Sequence, residues 1–195
     1  KERQYFESLE KAQNPKTLVV ACCDSRVDPA ILLHCKPGDL FVIRNVAALV
    51  PAVTQASNPC SVMSAIEYGV KHLNVEHIVV MGHSHCGGIH GLMAPETIAG
   101  ETYIQDWVGI ASPALERLQA ITGDEDEKTR SRHCEEGAVL ISLDNLLSYP
   151  WIAERVKNRQ LKLHALYYDL SEGNLYRFSP DSEDFELLFH TIENP

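Results

Sequence analysis

Two valine-rich apolar runs of strand length constrain the fold of this chain more than any other feature. Lys16–Cys22 reads KTLVVAC and Glu76–Gly82 reads EHIVVMG. A continuous apolar run of this length is typical of a strand that is buried on both faces of a sheet. Because parallel sheets with helices on both sides bury their strands in this way, we expect an α/β protein.

The rest of the chain alternates strand-like and helix-like segments. Further strands are predicted at Leu40–Arg44 and Leu161–Asp169, and the Gly173-Asn174 turn leads into an antiparallel edge strand at Leu175–Phe178. The predicted fold class is therefore α/β: a mainly parallel sheet of four strands plus one antiparallel edge strand, flanked by helices. Without a repeat or a low-complexity linker, residues 1–195 are expected to form a single domain. Helices are predicted after Asp28-Pro29, after Ser57-Asn58-Pro59 and after Gly87-Gly88, and at Ile104–Ala120, Lys128–Leu147 and Pro150–Lys157.

Charge and composition exclude several classes of function. The net charge of −10 argues against nucleic acid as a partner, because binding to phosphates requires clustered Lys and Arg. No apolar run approaches the roughly 18 residues of a membrane span, so no membrane partner is expected. The six cysteines are irregularly spaced, which favours free thiols and a cytoplasmic protein. An organellar stroma or matrix is the alternative, after removal of a targeting segment.

Residues that can bind a metal stand at the ends of the two valine-rich strands. The first strand ends in Cys22, and the second leads into His83 and Cys86 at H-x-x-C spacing. Cysteine thiolates and a histidine nitrogen are typical zinc ligands. Two Cys and one His leave a fourth position open, which is typical of a catalytic zinc site rather than a structural one. We expect Cys23 to point to the opposite face of the strand and to be a small core residue.

A carboxylate and a guanidinium group follow the first metal-binding cysteine. Asp24 and Arg26 can pair through two hydrogen bonds, which keeps the carboxylate ionised. The paired carboxylate can accept a proton from metal-bound water, whereas an unpaired one could itself bind the metal. Either motif alone is weak evidence, but two such motifs at the ends of two strands of one sheet strongly predict a metal site.

With these motifs the chain resembles the β-class carbonic anhydrases, in particular their plant-like, open-site branch. The family signature is a C-x-D-S-R strand end followed some sixty residues later by H-x-x-C-G-G, and the resemblance runs from about Gln13 to Phe178. It implies one Zn²⁺ per chain, bound by Cys22, His83 and Cys86. It also implies that zinc-bound hydroxide attacks carbon dioxide to give bicarbonate and a proton, so the chain would be a zinc lyase.

Further roles follow from the resemblance position by position. It assigns Asp24, Arg26 and Gln13 to catalysis, with Gln13 hydrogen-bonded to the substrate. In the family the Gln, Phe and Tyr come from the neighbouring subunit, so a homodimer or a higher even oligomer is implied. The resemblance further implies that the pocket for carbon dioxide is lined by Phe41, Val46, Tyr68 and Gly87.

The chain departs from the family pattern at a few positions, none of them a metal ligand. Cys23 replaces a Ser and Ala48 replaces an Asn. Val19 stands where the bicarbonate-inhibited branch has Trp, so we expect an open site without a second bicarbonate site. Hydrolases of carbon disulfide or carbonyl sulfide share these ligands and remain an alternative. A closed structural zinc site would need a fourth protein ligand, and a thiol-redox module would need C-x-x-C.

Overall fold

A computed structural model describes residues 2–56, 59–121 and 126–190 of the chain. Within these ranges six strands form one sheet in the spatial order β2-β1-β3-β4-β5-β6. The strands are β1 (Thr17–Cys22), β2 (Leu40–Asn45), β3 (His77–His83), β4 (Lys162–Asp169), β5 (Asn174–Ser179) and β6 (Asp184–His190).

The four parallel strands lie where the apolar runs predict them. β1 is central to this part of the sheet and pairs in parallel with β2 on one side and β3 on the other, and β4 pairs in parallel with β3. Alternate side chains of the strands enter two hydrophobic clusters, one on each face of the sheet. Leu18 and Val20 of β1 belong to the first cluster, whereas Val19 and Ala21 belong to the second. Burial on both faces explains why these strands have no polar alternation.

The antiparallel part of the sheet is larger than predicted. The α/β class is confirmed, but β5 pairs with β4 on one side and with β6 on the other, so β6 and not β5 is the edge strand. The sequence gives little indication of a strand at β6. Its apolar residues do not follow a buried pattern, because Leu187 and Leu188 are both substantially exposed and only Phe185 is buried.

Helices cover both faces of the sheet and start at recognisable signals. Asp28 caps α2 (Pro29–Leu32) by accepting hydrogen bonds from the amides of Ala30 and Ile31, and Asp126 caps α7 (Glu127–Leu147) by accepting one from the amide of Thr129. The segment predicted as one helix at Ile104–Ala120 consists of two α-helices joined by a 3₁₀ turn at Gly109–Ala111. The helices are α1 (Glu2–Leu9), α2 (Pro29–Leu32), α3 (Ser61–Lys71), α4 (Gly87–Met93), α5 (Thr102–Val108), α6 (Ser112–Ile121), α7 (Glu127–Leu147) and α8 (Pro150–Lys157), with further 3₁₀ turns at Val46–Ala48 and Pro95–Ile98.

No helix among the described residues is both long and apolar enough to cross a membrane. The parallel strands bring their carboxyl ends to one edge of the sheet, where loops leave β1, β2 and β3. In open α/β sheets ligands bind at this edge, and both predicted motifs lie there.

Candidate metal centre

The ends of β1 and β3 bring two cysteines and one histidine together. Cys22 is the last residue of β1, His83 is the last residue of β3, and Cys86 directly precedes α4. Their ligand atoms, two sulfurs and one imidazole nitrogen, all lie within 4.8 Å of one another, and all three residues are buried. The predicted ligand set is therefore a compact group that could hold a metal ion.

The orientation of the His83 ring leaves one nitrogen available to a metal. Its Nδ1 lies 2.9 Å from the main-chain carbonyl oxygen of Ser84, so Nδ1 carries the proton and donates it there. Nε2 is buried, and among the described residues it has no hydrogen-bond partner. A buried nitrogen acceptor without a donor costs free energy unless something binds it. A metal ion suits this nitrogen, because ligating histidines commonly donate their other ring N–H to an oxygen.

A hydrogen bond between the two thiols shifts their pKa values in opposite directions. A hydrogen bond from the Cys86 thiol lowers the pKa of Cys22 well below its usual range, although burial opposes this. The main-chain amide of Asp24, 3.4 Å from the Cys22 sulfur, also favours the thiolate. The same interaction with the Cys22 sulfur raises the pKa of Cys86. Without metal the thiolate is therefore favoured at Cys22, whereas Cys86 would have to lose its proton when a metal binds.

Asp24 and Arg26 form a two-pronged ion pair beside this group. The Nε of Arg26 donates to Oδ1 of Asp24 at 2.9 Å, and Nη2 donates to Oδ2 at 2.7 Å. Nη2 also donates to the main-chain carbonyl of His85 at 3.1 Å, which links the ends of β1 and β3. These hydrogen bonds from Arg26 hold the pKa of Asp24 far below its usual range. Asp24 is therefore ionised and held by Arg26.

Two of the residues predicted to line a substrate pocket lie close to the metal-binding group. Gly87 follows Cys86 and is exposed, and a Cβ added to it would meet no atom within 4 Å. Val46 packs against the cluster that contains Cys22 and Cys86, and its carbonyl accepts a hydrogen bond from the indole of Trp107 at 2.8 Å. These residues can form one side of a small pocket.

The other predicted pocket residues lie elsewhere in the chain. Phe41 stacks on Tyr68 with ring centroids 6.1 Å apart, and Phe41 packs against the cluster on the opposite face from the one that contains the metal-binding thiols. Tyr68 is 46% exposed, and Gln13 is exposed between α1 and β1. One chain therefore groups Phe41 with Tyr68, but does not bring that pair into the cluster around Cys22 and Cys86.

A cavity of about 710 Å³ is lined in part by Cys86. Its walls include Gly87, His90, Glu135 and Tyr167, and the predicted pocket residues other than Gly87 do not line this cavity in the described chain. The Asp24–Arg26 pair is also not part of its lining.

One buried acid near the centre was not predicted from the sequence. Glu135 on α7 accepts a hydrogen bond from the main-chain amide of Cys86 at 3.1 Å and one from the hydroxyl of Tyr167 at 2.7 Å. Burial raises the pKa of Glu135. The available signal was its position between Cys134 and Ala138, which are apolar and buried. Cys23 also differs from expectation, since it is exposed and not in the core.

The fold and the site define a mainly parallel α/β protein with a buried metal-binding group of two thiols and one imidazole. The family described as "Carbonic anhydrase" matches this chain over residues 17–175, which is most of its length. The chain belongs to the carbonic anhydrase family, and its relatives are of the β class.

Several relatives support this assignment. The chain is 40% identical over 179 residues to beta carbonic anhydrase 5, chloroplastic, of Arabidopsis thaliana, covering 91% of this chain and 59% of the relative. It is 42% identical over 171 residues to beta carbonic anhydrase 3 of the same plant, covering 86% of this chain and 66% of the relative. The chain thus spans less than two thirds of the length of these curated relatives, which place it in the plant-type branch.

Solved structures agree with the fold. The β-carbonic anhydrase CcaA has a TM-score of 0.90 and 30% identity, covering 95% of this chain and 89% of that chain. One of two tetrameric β-carbonic anhydrases from Sordaria macrospora has a TM-score of 0.76 and 32% identity, covering 91% of this chain and 87% of that one.

Proposed function

We propose that this chain is a zinc-dependent β-carbonic anhydrase that catalyses the reversible hydration of carbon dioxide to bicarbonate and a proton. The observation that carries the proposal is the buried group of Cys22, His83 and Cys86 with the Asp24–Arg26 pair beside it. Three protein ligands are typical of a catalytic zinc site, which keeps its fourth position open.

The donor set fits one zinc ion per chain. Cys22 and Cys86 would bind through sulfur and His83 through Nε2, the buried nitrogen that has no hydrogen-bond partner among the described residues. When bound, zinc supplies Lewis-acid chemistry that lowers the pKa of water to about 7. The chain's own residues would have to position the reactants and keep the fourth position free.

Asp24 and Arg26 would orient the attacking water. Oδ2 of Asp24 accepts one hydrogen bond from Arg26 and has capacity for another. Because the pKa of Asp24 is held so low, its carboxylate is a weak base, and it would accept a hydrogen bond rather than keep a proton. Arg26 in turn keeps Asp24 from binding the metal.

A small apolar pocket would hold carbon dioxide next to this water. Val46 and the main-chain amide of the exposed residue Gly87 would come from the same chain as the metal ligands, while Phe41, Tyr68 and Gln13 would come from the partner subunit. In support, Phe41 packs on the other face of the sheet and stacks on Tyr68, which retains an exposed aromatic surface. Gln13 and the Gly87 amide would donate hydrogen bonds to the oxygens of carbon dioxide as charge develops on them.

This arrangement needs at least a homodimer, and higher even oligomers are compatible with it. The tetrameric β-carbonic anhydrases of Sordaria macrospora support an oligomeric state for this fold. We also propose that residues 1–195 act as one catalytic domain with no nucleic-acid partner. The protein would act in the cytoplasm, or in an organelle as the chloroplastic and mitochondrial forms from Arabidopsis do.

The test is carbon dioxide hydration measured by stopped flow on protein of assayed zinc content, with Cys22→Ser as control. We expect near one zinc per chain and rapid hydration that is lost in the variant. Full zinc occupancy without hydration would overturn the proposed activity, and carbon disulfide and carbonyl sulfide would then be assayed as substrates. Absence of bound zinc would overturn the proposed metal centre itself.

A further inference from the structure

A single arginine outside the two motifs contacts much of the loop that carries the first metal ligand. Arg44 lies on β2 opposite Ala21 of β1, and its side chain is 29% exposed. Its Nε donates to the main-chain carbonyl of Cys22 at 2.9 Å. Its Nη2 donates to the carbonyls of Asp24 at 2.6 Å and Val27 at 3.1 Å. We propose that Arg44 is a positioning residue that fixes the loop between β1 and α2, and through it the metal ligand Cys22 and the Asp24–Arg26 pair.

The loop depends on this guanidinium because few backbone hydrogen bonds hold it. The amide of Cys23 donates to the carbonyl of Asn45, and the amide of Val27 donates to that of Asp24. The carbonyls of Cys22 and Val27 are instead bound by Arg44, as is the second acceptor position of the Asp24 carbonyl. One side chain therefore binds acceptors at the start, middle and end of the loop.

Arg44 also connects the loop to the helix that follows. Its Nη1 lies 3.4 Å from Oδ2 of Asp28, whose Oδ1 caps α2. The start of α2 and the end of β1 are thus fixed to the same planar group. Lysine has the same charge but is a point donor on a flexible stem, and it cannot reproduce a fork of donors aimed at several carbonyls. Arg44→Lys therefore removes the geometry while keeping the charge.

The inference rests on the proposed zinc centre, and its test uses zinc retention in addition to enzymatic activity. Residues that support metal ligands typically change metal affinity 10- to 100-fold when substituted. We expect zinc to leave Arg44→Lys at least about tenfold faster than wild type in excess chromogenic chelator. We also expect kcat of hydration to fall more than KM rises, because Asp24 would be misplaced.

Arg155→Lys is the matched control. Arg155 also donates to two main-chain carbonyls, those of Val70 and Val75, but it lies on α8 away from the metal-binding group. If zinc leaves both variants equally fast, or leaves Arg44→Lys no faster than wild type, the positioning role is overturned.

Hydrogen exchange separates this inference from the proposed function. In metal-free protein, the amides of residues 23–28 should exchange faster in Arg44→Lys than in wild type. In Arg155→Lys the exchange rates of these amides should be unchanged. This comparison can be made even if the wild type neither retains zinc nor hydrates carbon dioxide. Unchanged exchange in residues 23–28 of Arg44→Lys would count against the role of Arg44, whatever the activity.

Discussion

Nη2 of Arg26 donates both to Oδ2 of Asp24, at 2.7 Å, and to the main-chain carbonyl of His85, at 3.1 Å. In Arg26→Lys only one of these acceptors can be bound well, so the carboxylate loses its fixed orientation. The pKa of Asp24 should then rise towards about 3.9, which still leaves it ionised at neutral pH. A fall in hydration rate at neutral pH of about 10- to 100-fold would therefore report lost positioning and not lost charge.

The control for this prediction is Arg3→Lys. Arg3 forms an exposed ion pair with Glu7 on α1 and has no contact with the metal-binding group among the described residues. Stopped-flow rates at neutral pH, normalised to zinc content, are the measurement. A normal rate in Arg26→Lys would show that hydration does not depend on the two hydrogen bonds from Arg26 to Asp24.

Tyr167 hydrogen-bonds to Glu135, which contacts Cys86, so loss of the Tyr167 hydroxyl should weaken the retention of zinc. Tyr167→Phe deletes the hydroxyl that donates to the buried carboxylate, which in turn accepts from the amide of Cys86. Leaving a buried acceptor without its donor costs about 1–3 kcal/mol of unfolding free energy. Tyr149→Phe is matched, because its buried hydroxyl donates to Pro51. Both should lower stability in urea unfolding, but only Tyr167→Phe should speed zinc loss; equal zinc loss would contradict a link through Glu135.

Two adjacent glycines should respond in opposite ways to alanine. A Cβ at Gly88 would lie 2.6 Å from Cγ1 of Val46 and 3.0 Å from Cβ of Ala47, so Gly88→Ala should destabilise the fold by about 1–3 kcal/mol. A Cβ at Gly87 meets nothing within 4 Å, so Gly87→Ala should leave the melting temperature unchanged or slightly raised. If Gly87 faces carbon dioxide, the methyl group added in its variant would occupy space needed by the substrate, so hydration activity should nevertheless fall although the main-chain amide is retained. Calorimetry and stopped flow on both variants test this, and full activity in Gly87→Ala would remove Gly87 from the proposed pocket.

A histidine pair at the opposite end of the sheet should make stability depend on pH. Nε2 of His164 lies 2.9 Å from Nδ1 of His77, and burial, with the charges of His77, Arg177 and Lys162, lowers the pKa of His164. Below about pH 6.5 the unfolded chain therefore binds a proton that the folded chain resists. The free energy of unfolding should fall as the pH drops from about 6.5 towards the lower folded pKa of His164. Above about pH 6.5 this loss should be absent.

His164→Gln should flatten this dependence on pH, although it also removes the hydrogen bond to His77. The measurement is the free energy of urea unfolding of zinc-loaded protein across this pH window. His34→Asn is the control, since His34 is exposed and has a positive φ that Asn tolerates. An unchanged slope in His164→Gln would show that another group carries the acid sensitivity.

The sequence predicted the four parallel strands and the metal-binding group for one physical reason. Strands buried on both faces must be apolar throughout, so polar residues such as His83 at their ends stand out. Parallel neighbours end at the same edge, and this brings Cys22 to His83 although sixty residues separate them. The Asp24–Arg26 pair could also be predicted, because the two residues lie two positions apart in sequence and can form two hydrogen bonds to each other.

Contacts between distant elements could not be predicted in this way. Glu135 reaches Cys86 and Tyr167 only because α7 crosses the end of the sheet, whereas its neighbour Glu136 pairs within the helix with Arg132, four residues before it. The strand β6 is half-exposed and follows an acidic stretch, so neither burial nor alternation identifies it. The proposed supply of Gln13 by a partner subunit is likewise not encoded in any local pattern.

A site shared between subunits makes a prediction about mixed dimers. Cys22→Ser destroys the metal-binding group of its own chain, whereas Gln13→Ala would damage the site of its partner. In a heterodimer of the two variants, one site combines intact metal ligands with an intact Gln13 from the other chain, and the second site combines both defects. Heterodimers purified through two different affinity tags should therefore recover about half of the wild-type hydration rate.

Two comparisons make this result decisive. A heterodimer of Cys22→Ser with wild type should also show about half of the wild-type rate, because its one intact metal site receives Gln13 from the Cys22→Ser chain. If Gln13 acted on its own chain, the mixed variant would show no more activity than Gln13→Ala alone, because each site would keep its own defect. Failure to isolate any heterodimer at protein concentrations where wild type is active would instead remove the dimer from the proposed mechanism, since Gln13, Phe41 and Tyr68 could then not be supplied by a partner.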